Sequence, residues 1–156
     1  MSELKETIRA DLKTAMKDRD KARTSAIRAL LAAIQAAETD GGSRHDLTDE
    51  DVLKVIAREI KKRRESAEVY TDNDRPELAE EELKDVPFFE SYQPEQLDDA
   101  GVDDLVAESI AEVEAESDGP VGMKQMGQVM KIANEKAAGR ADGKRLSSAV
   151  KAKLQG

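Results

Sequence analysis

Residues 21–42 read KARTSAIRALLAAIQAAETDGG, with Ala26, Ile27, Leu30, Leu31, Ile34 and Ala37 recurring at helical spacing ahead of Gly41-Gly42. Apolar residues three and four apart line one side of an α-helix, and a glycine pair stops it. The stripe is broad enough to touch two neighbours, so this helix must belong to a helical assembly. Upstream, Leu4, Ile8, Leu12, Ala15 and Met16 make a first helix with Ser2 as N-cap, and Asp18 or Asp20 opens the next. Downstream, Gly41 to Leu47 predicts an exposed loop. Thr48 followed by Asp51 is a capping-box-like start. The third helix then runs towards Tyr70, with Val52, Ile56, Ile60, Arg63 or Arg64, and Ala67 on its inner face.

Pro76 suits the first turn of a fourth helix, and the acids from Glu77 to Glu82 complement its dipole. Pro87 disfavours helical geometry at Val86, which predicts a kink or break before Phe88-Phe89. Tyr92-Gln93-Pro94 reads as a terminator and subdomain boundary. Three short helical patterns follow: Val102, Leu105, Val106, Ile110 and Val113; Met123, Met126, Val129, Met130 and Ala133; Leu146, Ala149, Val150 and Leu154. Asp98 and Asp142 are their N-cap candidates, and 117–120 and 138–143 are the connections. In the middle pattern the methionines read as core and Gly127 as a point of close helix approach. With four aromatic residues, no Trp and many Ala, the core suits packed helices rather than a sheet. The fold class is therefore all-α, with an N-terminal multi-helical domain over 1–94 and a small three-helix domain over 95–156.

Several functional classes lose their support. No apolar run approaches the ~20 residues that span a bilayer, and the start MSELKETIRADL is an amphipathic, acid-containing helix, so the chain is read as cytoplasmic and without membrane contact. It has no cysteine, and its single histidine, His45, lies in the Gly/Ser-rich loop. Thiol chemistry, a histidine-based metal site and a Ser-His triad have little to stand on. Ser147 and Ser148 lie near Lys144 and Lys151, but adjacent helical residues point to different faces. The many carboxylates, such as Glu80 to Glu82 and Asp103-Asp104, read as exposed helix acids. No catalytic residue, metal or cofactor is expected.

The net charge of −9 is unevenly distributed. Residues 1–75 carry 16 Lys/Arg against 16 Asp/Glu, residues 76–119 carry 1 against 16, and residues 120–156 carry 8 against 2. A basic end behind an acidic segment attracts phosphate locally while limiting indiscriminate binding. Contact candidates there are Lys131, Lys136, Arg140, Lys144, Arg145 and Lys151. Gly139 and Gly143 flank part of this set, and Asp142 and Gly143 read as structural members of the turn. In the third helix Lys61, Lys62, Arg63 and Arg64 form a second candidate patch, which wraps around the helix so that at least two cations face water. Glu59, Glu65 and Glu68 lie within pairing distance of that run, which favours a solvated helix face there.

Taken in order, MKDRDKARTSAIRALLAAIQ, VIAREIKKRRES, SYQPEQL, MGQVMK and GRADGKRLSSAVK resemble the landmarks of the GatB/YqeY family along essentially the whole chain. Gln93, Gln125 and Asn134-Glu135 depart from the family pattern, and Pro87 is a further oddity. The resemblance implies a helical N-terminal domain followed by a small helical domain like the tail of the amidotransferase subunit that handles misacylated tRNA. It does not imply amidotransferase activity. The expected function is a non-catalytic, tRNA-associated binding module whose partner is tRNA or another structured RNA, with 1–94 as a scaffold lacking net charge and 95–156 as the reader. The alternatives are a protein–protein adaptor for a tRNA-handling enzyme, its acidic 76–119 segment docking a basic partner, and an accessory to carbon–nitrogen ligase chemistry with glutamine as amido donor. Oligomeric state is left open.

Overall fold

The computed structural model describes residues 2–117 and 119–155. All regular structure among them is helical, and the chain divides into two compact units, Met1–Gln93 and Pro94–Gly156.

In the first unit α1 (Glu3–Lys17) starts at Ser2, whose hydroxyl accepts from the Lys5 amide at 3.1 Å and donates to Asp49. Asp20 opens α2 (Lys21–Glu38) by accepting from the Arg23 amide at 3.0 Å. The helix stops at Thr39, and a short 3-10 turn follows in which Gly41 and Gly42 take φ of 82° and 85°. Only residues without a Cβ take that conformation at low cost. α3 (Asp49–Asp72) begins with the reciprocal capping box of Thr48 and Asp51, satisfying two amides that no earlier turn can serve. α4 (Pro76–Leu83) and α5 (Val86–Glu90) complete the unit.

α1 packs on α2 and α3, α2 on α3 and α5, and α3 on α4 and α5. Ile8, Ile27, Leu30, Ile34, Val52, Ile56 and Phe89 are the largest side chains of this core. α2 touches several neighbours, as its broad stripe requires. Two expectations need correction. Leu47 does not belong to an exposed loop; it is buried in this core and anchors the segment after Gly42. The break expected before Phe88-Phe89 is present between Leu83 and Val86, but Val86 itself is helical and buried rather than driven out of the helix, because a proline in the first helical turn has no donor to lose. Glu38 ties the unit internally. Its carboxylate, 6% exposed, accepts from the Lys5 ammonium at 2.8 and 2.9 Å, and its carbonyl accepts from the His45 amide at 2.9 Å.

The second unit holds α6 (Asp99–Glu116), α7 (Met126–Ala137) and α8 (Gly143–Gln155), packed pairwise around Val106, Val113, Val129, Leu146 and Val150. Asp98 caps α6 through the Gly101 amide at 2.7 Å. Asp142 caps α8 through the Arg145 amide at 2.7 Å. Met123 is no core residue. It lies 42% exposed in a 3-10 turn, Met123–Gln125, ahead of α7. Gln125, one of the departures from the family pattern, closes that turn by accepting from the Gly122 amide at 2.8 Å. Gly127 is exposed with nothing within 4 Å of where a Cβ would lie, so it permits no close helix approach. Gly143 likewise has open space around it, and no packing demands it there. Asp118, in the expected 117–120 connection, lies outside the described residues.

Candidate nucleic-acid interface

In α3 the helical pitch divides the basic run. Lys61 and Lys62 are exposed, Lys61 standing 3.9 Å from Glu65 one turn on. Arg64 pairs with Glu90 of α5. Arg63 turns inward: its guanidinium lies 3.5 Å from Asp85 and its Cζ 4.9 Å from the centre of the Phe89 ring. Asp85 is 6% exposed, and Arg63 is the cation paired with it. Arg63 thus secures α5, and Lys61, Lys62 and Arg64 are the members of the run that face solvent.

In the second unit α6 intercepts part of the basic end. Lys136 lies 2.8 Å from Glu112 and 3.9 Å from Glu108, and the Glu112 hydrogen bond holds its ammonium above the ordinary lysine range. Arg145 reaches Asp99 at 3.2 Å. Arg140 serves the backbone. Its Nε and Nη2 donate to the carbonyls of Ala137 and Lys136 at 3.0 and 2.9 Å, which satisfies the end of α7. Its own carbonyl accepts from the Leu97 amide at 2.8 Å, and Gln96 Nε2 donates to the Gly139 carbonyl at 3.0 Å, so the turn at 138–140 is fastened to the segment leading into α6.

What remains open is α8. Lys144, Ser148 and Lys151 are exposed at i, i+4 and i+7, which places them along one face. Residues 143–155 contain no Asp or Glu, and Lys153 adds another exposed cation. Lys131 is exposed on α7. Lys153 was missed in the sequence reading, although the absence of acid from the segment was visible there. Counted over whole units, both parts are acidic. Residues 1–93 have 17 Lys/Arg against 22 Asp/Glu, a net of −5, and residues 94–156 have 8 against 12, a net of −4. The N-terminal scaffold is therefore not neutral, and the basic end is a local feature of an acidic unit.

An open groove of about 320 Å³ beside α6 and α7 is lined by Leu97, Gly101 and Leu105 together with Asp104, Glu108, Lys136 and Arg140, and two of its charged groups, Glu108 and Lys136, already pair with each other. Among the described residues no group of three His, Asp or Glu is placed to hold a metal ion, and no helix is long and apolar enough to cross a membrane.

The profile of the Yqey-like proteins matches residues 5–154. The chain belongs to the YqeY-like family. Curated relatives include the mitochondrial altered inheritance of mitochondria protein 41 of Meyerozyma guilliermondii, 28% identical over 132 residues, which cover 83% of this chain and 68% of the relative. An uncharacterized protein of Schizosaccharomyces pombe is 34% identical over 92 residues, covering 59% and 73%. The protein 41 of Kluyveromyces lactis is 33% identical over 86 residues, which cover 55% of this YqeY-like chain and 46% of the relative. None of these names states a reaction.

Proposed function

We propose that this YqeY-like protein is a non-catalytic RNA-binding module that contacts tRNA through its phosphates, with α8 as the principal contact. The observation that carries the reading is the exposed Lys144, Ser148 and Lys151 face on a helix without a carboxylate. Cations and hydroxyls on a helix that carries no acid of its own suit phosphate oxygens, and neutralising a backbone releases its condensed counterions. Asp99 and Asp103 of α6 border a groove at the Lys144 and Ser148 end, which leaves Lys151 and Lys153 as the part of the face farther along the helix. The resemblance of residues 95–156 to an amidotransferase tail supports tRNA as the structured RNA. On this reading the protein acts in the cytoplasm, whereas two of the relatives above are called mitochondrial.

Filter binding of total tRNA at several salt concentrations tests it. Lys144→Ala, Lys151→Ala and Lys153→Ala together should weaken binding and flatten the salt dependence by about one per lost phosphate contact. Absence of salt-sensitive binding by the unaltered protein near physiological ionic strength sinks the reading.

A second reading, an adaptor for a basic partner protein, has one observation in its favour. Leu78 and Leu83 are 39% and 40% exposed on α4 among Glu77, Glu80 and Glu81. Pull-down before and after nuclease treatment separates the two, since only direct protein contacts survive. Incubation with glutamine, ATP and mischarged tRNA should yield no amidation on either reading.

A further inference from the structure

The closed end of the α1–α2 hairpin gathers cations that neither the fold nor the α8 surface uses. Lys13, Met16 and Lys17 stand at i, i+3 and i+4 on α1, hence on adjoining faces, and Lys21 and Arg28 stand at i and i+7 on α2. Arg28 Nη2 lies 3.9 Å from Met16 Sδ, which sets these two faces against each other. Arg19 occupies the turn between them. All six residues are exposed, Met16 at 51%. Among the described residues none of the five cations has a carboxylate oxygen within 4.0 Å.

Of the 20 cations elsewhere on this chain 11 have a carboxylate within 4.0 Å, as Arg9 with Glu6, Lys54 with Glu50 and Arg64 with Glu90 do, whereas at the hairpin end none of the five does among the described residues. The hairpin end does hold two carboxylates. Asp20 accepts from the Arg23 amide in the helix cap and keeps its charge, so Asp18 and Asp20 together stand against five positive charges. Arg19 has φ of 56°, a left-handed conformation that glycine or asparagine takes at lower cost. A cation thus sits where a neutral turn residue fits better. Exposed thioether carbon among cations adds an adaptable apolar contact, which sugar and base faces accept.

We propose that this hairpin end, Lys13, Lys17, Arg19, Lys21 and Arg28 around Met16, is a second phosphate-contacting surface that docks the backbone of a structured RNA. The proposal rests on the RNA-binding reading above and adds a site in the first unit. One helical turn rises about 5.4 Å, so Lys13 and Lys17 are spaced to meet successive anionic groups rather than a single ion.

The test uses the full chain and fluorescence anisotropy with labelled total tRNA across a salt series. Lys13→Ala, Lys17→Ala, Lys21→Ala and Arg28→Ala are combined in one variant. A control variant removes the same charge elsewhere in the unit, with Lys54→Ala, Arg58→Ala, Arg75→Ala and Lys84→Ala. The hairpin variant should bind roughly tenfold or more weakly and lose about three from its salt slope, whereas the control should change less than about threefold. Circular dichroism should show both folded. Arg19→Gly should bind a few-fold more weakly while its melting midpoint holds or rises, a split that a structural role does not produce. Equal losses in hairpin and control variants overturn the proposal, since net charge alone then explains them. Unchanged affinity in the hairpin variant and in Arg19→Gly overturns it too, while leaving RNA binding by α8 standing. If the unaltered protein binds no tRNA but sediments with phosphatidylserine vesicles, the RNA reading and this surface both fall.

Discussion

Tyr92 donates to Asp11 at 2.6 Å across 81 positions of sequence, fixing the end of the first unit to α1. Burial first, and then the Asp11 carboxylate, hold the phenol above its ordinary range, so it stays a donor wherever the fold survives. Tyr92→Phe keeps the ring and deletes the bond. It should cost about 1–2 kcal/mol in chemical denaturation, and a loss within error shows the bond contributes nothing net. Two further carboxylates set an acid response. Asp51 is held below its ordinary value by the Thr48 amide and then its hydroxyl, and Asp49 by the Ser2 hydroxyl and then the Leu4 amide. A carboxylate whose folded value lies below its unfolded value near 3.8 stabilises the fold above that pH. The contribution vanishes as pH falls through the folded value. The melting midpoint should therefore fall between about pH 5 and pH 2, and Asp49→Asn with Asp51→Asn should flatten that fall. An identical profile in wild type and variant removes these two groups from the response.

At the scale of elements, α5 depends on one arginine. Arg63→Ala leaves Asp85 buried without its cation and should destabilise the first unit by about 3–5 kcal/mol, read as a lowered denaturation midpoint. Arg63→Leu with Asp85→Leu should recover most of that loss, since an apolar pair replaces the buried charges. A double variant as weak as the single one would mean the shape of Arg63, and not its charge, holds α5. Ala138 ends α7 at φ of 48°, and Ala138→Gly should raise the melting midpoint by relieving a conformation worth about 1 kcal/mol. The helix starts were legible because caps are local: Ser2, Asp20, Thr48, Asp98 and Asp142 each satisfy an amide two or three residues away. Contacts that depend on a distant partner were not legible in this way. Periodicity left Arg63 and Arg64 equivalent until α5 supplied Asp85 and Phe89, and neither Leu47 nor Gly127 carries a local mark of its burial or exposure.

For the whole molecule, each unit has its own apolar core, so a 1–93 fragment should remain helical and melt cooperatively by circular dichroism. A sloping, non-cooperative melt would mean that this core is incomplete without the rest of the chain. The all-helical class and the YqeY-like resemblance were readable from periodicity and motif order. The candidate site was readable only in part, because linear charge counts do not reveal that Glu112 and Asp99 of α6 reach Lys136 and Arg145, or that Arg140 holds carbonyls. That arginine turn also gives the second unit a mechanical polarity. Tension entering at Pro94 meets the Leu97 amide on Arg140 and the Gln96 amide on Gly139 before it reaches α6. The pull is delivered to the α7–α8 junction, several bonds must yield together, and α6 is shielded from peeling. Tension entering at residue 155 meets Leu154, Val150 and Leu146 of the core one after another, with no comparable backbone tie among the described residues of α8. The unit should therefore act as a one-way catch, with a higher unfolding force when pulled from residue 94 than from residue 155 in single-molecule force spectroscopy.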